Sequence, residues 1–268
     1  MPKTLLLVGL LMFAGLPITV SADQHNARLT SSATSTRVSS LLGNDISWPQ
    51  CGTKLPTGQA FGIVGVNNGL ANTTNPCLAT ELAWAAKSSG LTVQPKVQLY
   101  VNTANPGGLN TASWPSTGTN AYGTCDYSNS LACAYQYGWN RASDDATIRG
   151  VTNAGTYTWW LDVETGNSWD FTAGGTARNV ADLEGMTEYF KSINAKVGVY
   201  STSYQWGQIV GSSVVVTSSL NGLSNWLPGS SSLSAAKTNC ALASLTVGGI
   251  VGITQYTSVN KDYDYSCR

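Results

Sequence analysis

The densest group of chemistry-bearing residues is the run Trp159-Trp160-Leu161-Asp162-Val163-Glu164. In a strand the side chains alternate, so Trp160, Asp162 and Glu164 share one face and Trp159, Leu161 and Val163 the other. The second face is wholly apolar and suits packing under helices. The first ends in two carboxyl groups whose Cα atoms stand ~7 Å apart. Two acids held that close resist ionising together, so one keeps a proton near neutral pH and can serve as a general acid. The same pair would also cap a helix or hold calcium.

Other acids stand at the two ends of the chain. Asp45 closes an early apolar run in Gly43-Asn44-Asp45-Ile46-Ser47. Near the far end Asn260, Asp262, Asp264 and Ser266 alternate, a spacing like that of a calcium loop. That run lacks the glycine at the sixth position and the terminal glutamate such a loop requires. The single histidine, His25, falls in an N-terminal tail, and no Cys-x-x-Cys occurs. Zinc sites and His-dependent nucleophilic catalysis are therefore disfavoured. Nothing marks a Ser-Lys hydrolase either. An enzyme of this composition must move its protons with carboxylates, and no metal or other cofactor is expected.

Aromatic residues supply a second type of chemistry. The chain holds 9 Trp and 12 Tyr against 4 Phe, a bias toward rings with a polar handle. Trp48, Trp114, Trp169 and Trp206 each follow a predicted strand, in loops at the same end as the acids. Rings placed there would stack on sugar faces or pack the loops.

The elements that must position these groups are short apolar runs separated by Gly, Asn, Pro and Thr. Candidate strands cover 42–47, 61–67, 96–102, 157–164, 196–201, 222–227, 249–256 and 261–265. Helices are predicted over 76–89, with Asn75 as N-cap and Gly90 as stop, over 132–153, and from Thr176 onward. The last lines up Val180, Leu183, Thr187, Phe190 and Ile193. Beyond about residue 213 convincing helical patterns vanish. Apolar strands alternating with helices argue for a parallel sheet covered by helices. Eight strands fit a closed β/α barrel whose last part has lost its helices, with an open doubly wound α/β sheet as the alternative. The acids and the four tryptophans would then share the C-terminal mouth of the barrel.

Composition narrows the partners. Charged residues are only 10% of the chain and the formal net charge is zero. No basic face is available for nucleic acid or an anionic bilayer. Residues 1–22 read as a signal peptide: Lys3, an apolar run over 5–16, then Val20-Ser21-Ala22 before the cut. The run is shorter than the ~20 residues a membrane span needs. Residues 23–40 form a Ser/Thr-rich leader with few large apolar groups, expected to be disordered. The remainder, 41–268, is one domain. An exported chain with Cys51, Cys77, Cys125, Cys133, Cys240 and Cys267 is expected to be extracellular and disulfide-bonded. Fifteen pairings are possible. The sequential set is preferred because each bridge then ties loops or ends that lie near one another in the barrel.

The ordered series GNDISWPQ, FGIVGVNNG, WWLDVE, VGVYST and ITQYTSVNKDYDY resembles the family 25 glycoside hydrolases, the Chalaropsis-type lysozymes. The resemblance runs from about Gly43 to Asp264. It implies a flattened TIM-like (β/α)5(β)3 barrel that cleaves β-1,4 bonds of peptidoglycan or a related amino-sugar polysaccharide. Glu164 matches the proton donor and Asp162 the acid that steadies the charged sugar intermediate. Asp45 matches the first-strand acid and Asp262 the last-strand one, with Asp264 its competitor one alternation step away. Tyr100, Tyr200 and Gln255 are the further substrate contacts implied. Many members carry a glutamate after the second strand, where this chain has Val66-Asn67-Asn68-Gly69, so Asn68 takes that place. The 103–132 insertion has no counterpart in the family pattern. The alternative is a catalytically silent glycan-binding barrel. In either case the expected partner is glycan, without nucleic acid or membrane, and the chain is expected to act as a monomer.

Overall fold

Eight of the apolar runs are strands, and together they close a barrel. The computed structural model describes residues 41–107 and 112–268. The predicted signal peptide, the leader and His25 lie outside them. In chain order the strands are β1 (Leu42–Ile46), β2 (Gly62–Gly65), β3 (Val97–Asn102), β4 (Thr119–Asn120), β5 (Gly123–Thr124), β6 (Thr158–Asp162), β7 (Lys196–Tyr200), β8 (Ser224–Ser230), β9 (Ile250–Ser258) and β10 (Lys261–Ser266). The helices are α1 (Leu78–Ala85), α2 (Leu131–Thr147), α3 (Gly175–Ser192), α4 (Ser203–Ile209) and α5 (Leu233–Asn239).

The barrel order is β1-β10-β9-β8-β7-β6-β3-β2, closed on itself, with β4 and β5 a separate ribbon. Neighbours from β1 round to β9 run parallel, whereas β10 is antiparallel to both β9 and β1. Closure through β1 and β10 excludes the open sheet.

Alternation along the strands divides the apolar residues between two compartments. Trp159, Leu161, Val163, Val64, Leu99 and Val199 face outward and join Leu183, Met186 and Phe190 of α3 in one large cluster. Trp159 stacks on Phe190 at 4.4 Å between centroids. Phe61, Ile63, Trp160, Trp226 and Ile253 fill the barrel interior. Two glycines make room for the large interior rings. A Cβ at Gly198 would stand 2.3 Å from the Trp160 ring, and one at Gly65 2.5 Å from Tyr100 Cζ. Outside the barrel, α2 and α3 touch backbone to backbone. A Cβ at Gly138 would meet Asp182 O at 1.9 Å, and one at Gly185 would meet Tyr135 O at 2.0 Å.

Several expectations need correction. The first helix begins at Leu78, because Asn75 spends its side chain on Gly65 O, Glu81 and the amide of Cys77. The second ends at Thr147, short of 153; Gly150 soon follows at φ +90°. Helices also do not vanish after residue 213: α5 follows β8, capped by Ser232, whose hydroxyl accepts from Ala235 N. Seven residues long with only Ala236 buried, it has no apolar stripe to read. Between β1 and β2 there is only the 3-10 turn Trp48–Gln50, so the five helices follow the second to sixth barrel strands.

All three bridges are sequential: Cys51–Cys77, Cys125–Cys133 and Cys240–Cys267. They tie the turn after β1 to the start of α1, the β4–β5 ribbon to the first turn of α2, and the end of α5 to the residue after β10. No described helix is long and apolar enough to cross a membrane.

Candidate active site at the barrel mouth

The inward face of β6 runs from floor to mouth. Trp160 lies at the floor, its Nε1 donating to Gln98 Oε1 at 2.9 Å. Asp162 stands one step higher and is buried. Across the β3–β6 register its partner is Asn102, whose Nδ2 donates to Asp162 Oδ2 at 3.0 Å. Asp162 Oδ1 is buried with no hydrogen-bond partner. Burial, then the charge of Glu164, pushes the Asp162 carboxyl well above the usual carboxylate range.

Glu164 lies just beyond the end of the strand and is half-buried. Burial raises its pKa, opposed by a hydrogen bond from the Gln205 side chain. Its backbone carbonyl accepts from Trp169 Nε1 at 2.8 Å and from the amide of Asn167 at 3.1 Å. The charge of Glu164 thus opposes ionisation of Asp162 one step below it on the strand.

A second acidic group faces the first from β1 and β10. Asp45 Oδ2 accepts from Gln255 Nε2 at 2.8 Å, and Gln255 Oε1 accepts from Tyr200 OH at 3.0 Å. Burial and then the charge of Asp262 raise the Asp45 carboxyl. Asp264 lies one layer deeper, fully buried, with Trp226 Nε1 donating to its Oδ1 at 2.9 Å. Tyr100 stands between Asp45 and Asp162, hydrogen-bonded to Ser47. Tyr100, Tyr200 and Trp160 all pack against Trp226, which forms the floor.

The structure thus brings together Asp45, Asp162, Glu164, Asp262, Tyr100, Tyr200 and Gln255 at the C-terminal end of the parallel strands. Asp262 is on the rim, its Oδ1 accepting from Thr257 Oγ1 at 2.6 Å. The run that resembled a calcium loop is the paired strand β10.

The tryptophans divide differently. Trp48 is 43% exposed beside Gly69, and Leu70 next to it is 63% exposed. The other three are not available for stacking, which corrects the expectation. Trp114 is 4% exposed and packs on Tyr137 of α2 at 5.5 Å, in the cluster that includes Cys125 and Cys133. Trp169 is 8% exposed and Trp206 7%, both in the layer between strands and helices. A loop after a strand can fold back over the barrel's outer layer as readily as over its mouth, and burying an indole there removes a large apolar area from water. Asn68 is exposed on the rim, its amide held by Thr73 Oγ1 at 2.9 Å. Its neighbour Asn67 is buried instead, donating to Asp145 and accepting from the Asn102 amide.

Sequence reasoning missed Asn102, Gln205 and Trp226 as parts of the site. Asn102 and Trp226 carry only the parity of their strands as a signal. Gln205 had a stronger one, Thr202-Ser203-Tyr204-Gln205, a capping box at the start of α4.

Residues 118–223 match the family model described as Lysozyme-like protein 1, a stretch that carries Asp162 and Glu164. Two solved structures have the same fold. The muramidase from Trichobolus zukalii aligns over 84% of this chain and 93% of its own, with TM-score 0.51 and 18% identity. The barrel shares that fold. The bacterial lysozyme from Streptomyces coelicolor aligns over 85% of this chain and 92% of its own, with TM-score 0.50 and 12% identity. No curated protein sequence matches the chain. The family match ends before β8, so Asp262, Asp264 and Trp226 lie outside it, as does Asp45 before it.

Proposed function

We propose that the chain is a secreted glycoside hydrolase that cleaves β-1,4 bonds of peptidoglycan by carboxylate catalysis. The observation that carries the reading is the Asp162–Glu164 pair, where Asp162 presents a buried Oδ1 with no partner beside a half-buried Glu164. Similarity to proteins named as a muramidase and a lysozyme, and the lysozyme-like family match, support the substrate class. Three disulfides support an oxidising, extracellular location.

In the free protein the pair shares a proton. As the glycosidic bond breaks, positive charge develops at the anomeric carbon. That charge favours the arrangement in which Asp162 is the anion and Glu164, nearer the open cleft, carries the proton. Glu164 then protonates the leaving sugar oxygen, while Asp162, held by Asn102, offsets the cation. Asp45, oriented by Gln255 and Tyr200, adds negative potential from the opposite wall.

Purified protein incubated with peptidoglycan should release soluble fragments with new reducing ends. Binding without release of reducing ends on any amino-sugar polymer would replace this reading with that of a silent glycan-binding barrel.

A further inference from the structure

We infer that Asp264 is a positioning residue that keeps one proton and donates it to Asp45, fixing the first-strand carboxylate as an oriented anion at the mouth. The inference rests on the glycosidase reading for its consequence, but the arrangement itself is independent of it.

Each atom around Asp264 has a definite polarity. The Trp226 indole can only donate, and it donates to Asp264 Oδ1. Asp264 Oδ2 is buried and receives no donor. Gln255 lies beside Asp264 in the β9–β10 register, but its amide nitrogen is committed to Asp45 and its oxygen to Tyr200. Gly43, the partner on β1, has no side chain to offer. The charged groups facing Asp264 are Asp45 and Asp262, both acids. The salt bridges among the described residues lie elsewhere, at Arg141–Asp144, Arg149–Asp145 and Arg178–Asp170.

An ionised Asp264 would therefore leave a desolvated lone pair unmatched beside like charge, which is costly. A protonated Asp264 resolves both problems, because its O–H becomes a donor and its neighbour Asp45 an acceptor. A hydrogen bond from a protonated Asp264 to Asp45 favours charge on Asp45 and disfavours it on Asp264. Asp45 then holds two donors, Gln255 and Asp264, which favour its charge against burial and Asp262, the two causes that raise it to about 7. Without the Asp264 proton, Asp45 would itself take one up, and the wall opposite Asp162 would lose its charge.

Two variants separate this role from mere packing. Asp264→Asn keeps a neutral donor of the same shape, whereas Asp264→Leu removes it. Infrared difference spectroscopy of substrate-free wild type minus Asp264→Asn at neutral pH should show the carbonyl stretch of a protonated carboxylic acid. On peptidoglycan fragments, Asp264→Asn should keep kcat within about threefold and leave the acid limb of the pH profile in place. Asp264→Leu should lose about tenfold in kcat and move that limb to higher pH by about one unit. Absence of the acid carbonyl band from the difference spectrum would overturn the inference, as would equal behaviour of the two variants. The spectrum decides the protonation even if Asp264→Leu fails to fold. It also decides it if wild type cleaves no glycan, an outcome that would remove the glycosidase reading alone.

Discussion

The indole of Trp169 donates its Nε1–H to the backbone carbonyl of Glu164 at 2.8 Å. A ring that the sequence suggested for stacking on sugar instead fixes the turn that carries the acid. Trp169→Phe keeps most of the buried area and removes the donor, leaving a carbonyl with one fewer partner. Stability should fall by about 1 kcal/mol, read as a drop of roughly 2–4 °C in Tm for a domain of this size. Turnover should fall while KM stays close to wild type, because in the proposed mechanism the loop positions the proton donor and does not bind substrate. An unchanged kcat would separate Trp169 from catalysis.

Glu164→Gln keeps shape and hydrogen bonding but removes the transferable proton, so kcat should drop ~100-fold or more while binding survives. Asp162→Asn should also slow turnover, because an amide cannot offset a cation. It should do something further to any residual activity. In the proposed reactive arrangement Asp162 is the anion, and an anion there opposes ionisation of Glu164, so its removal should let Glu164 lose its proton at lower pH. The basic limb of the pH–rate profile should move down. A basic limb that stays in place in Asp162→Asn would show that the two groups do not titrate as a pair.

Trp48 is the exposed indole among the four suggested from sequence, on a rim it shares with Leu70. Trp48→Ala should weaken binding of a soluble peptidoglycan oligomer by ~1–3 kcal/mol, by analogy with base–aromatic stacking, with little change in Tm. Trp114→Ala and Trp206→Ala should show the reverse pattern, costing about 3–5 kcal/mol of stability with no specific loss of affinity in the protein that remains folded. Isothermal titration and thermal melts distinguish the two classes.

Between α2 and α3, Asp182 is fully buried and neither carboxyl oxygen has a hydrogen-bond partner. Burial raises its pKa well above the usual range, opposed by the charge of Arg141. Because the folded value is above the unfolded one, the native state holds this proton more tightly. The resulting stabilisation is complete below the unfolded value of ~3.9 and is lost as pH rises through the folded value. Urea midpoints of wild type should therefore decline as pH rises from about 4 toward the alkaline side. Asp182→Asn removes part of that slope and should be the more stable protein at alkaline pH. Parallel midpoint-against-pH curves for the two proteins would contradict the assignment.

The bridges span unequal lengths of chain: 8 residues for Cys125–Cys133, 26 for Cys51–Cys77 and 27 for Cys240–Cys267. Loop-closure entropy makes the short one weaker by roughly 1 kcal/mol. Replacing Cys125 and Cys133 by Ser should lower Tm less than the same change at either longer bridge. The unreduced, denatured protein should titrate no free thiol. The reverse order of Tm losses would mean that native packing around the bridges dominates chain entropy.

The positions of all eight barrel strands, the two faces of the run 159–164 and the acid pair on one of them were legible in the sequence. Strand alternation and apolar continuity are local properties, set by residues two apart. The resemblance to family 25 lysozymes implied the barrel, and with it the roles proposed for Glu164 and Asp162. The short helices α4 and α5 were not read, because seven residues carry too little periodicity and their starts are marked by caps alone. Only the tertiary structure decided which tryptophan meets solvent, since Trp48, Trp114, Trp169 and Trp206 all follow strands and differ in what the rest of the chain places around them. The closing of β10 against β1 likewise put Asp264 beside Asp45 across a sequence separation of more than two hundred residues. Parity along β10 could say that Asp262 and Asp264 share a face. It could not say which of them would be sealed beneath the mouth with a tryptophan donor on one oxygen and no partner on the other, because burial depth and hydrogen-bond partners are set by strands that meet only when the barrel closes.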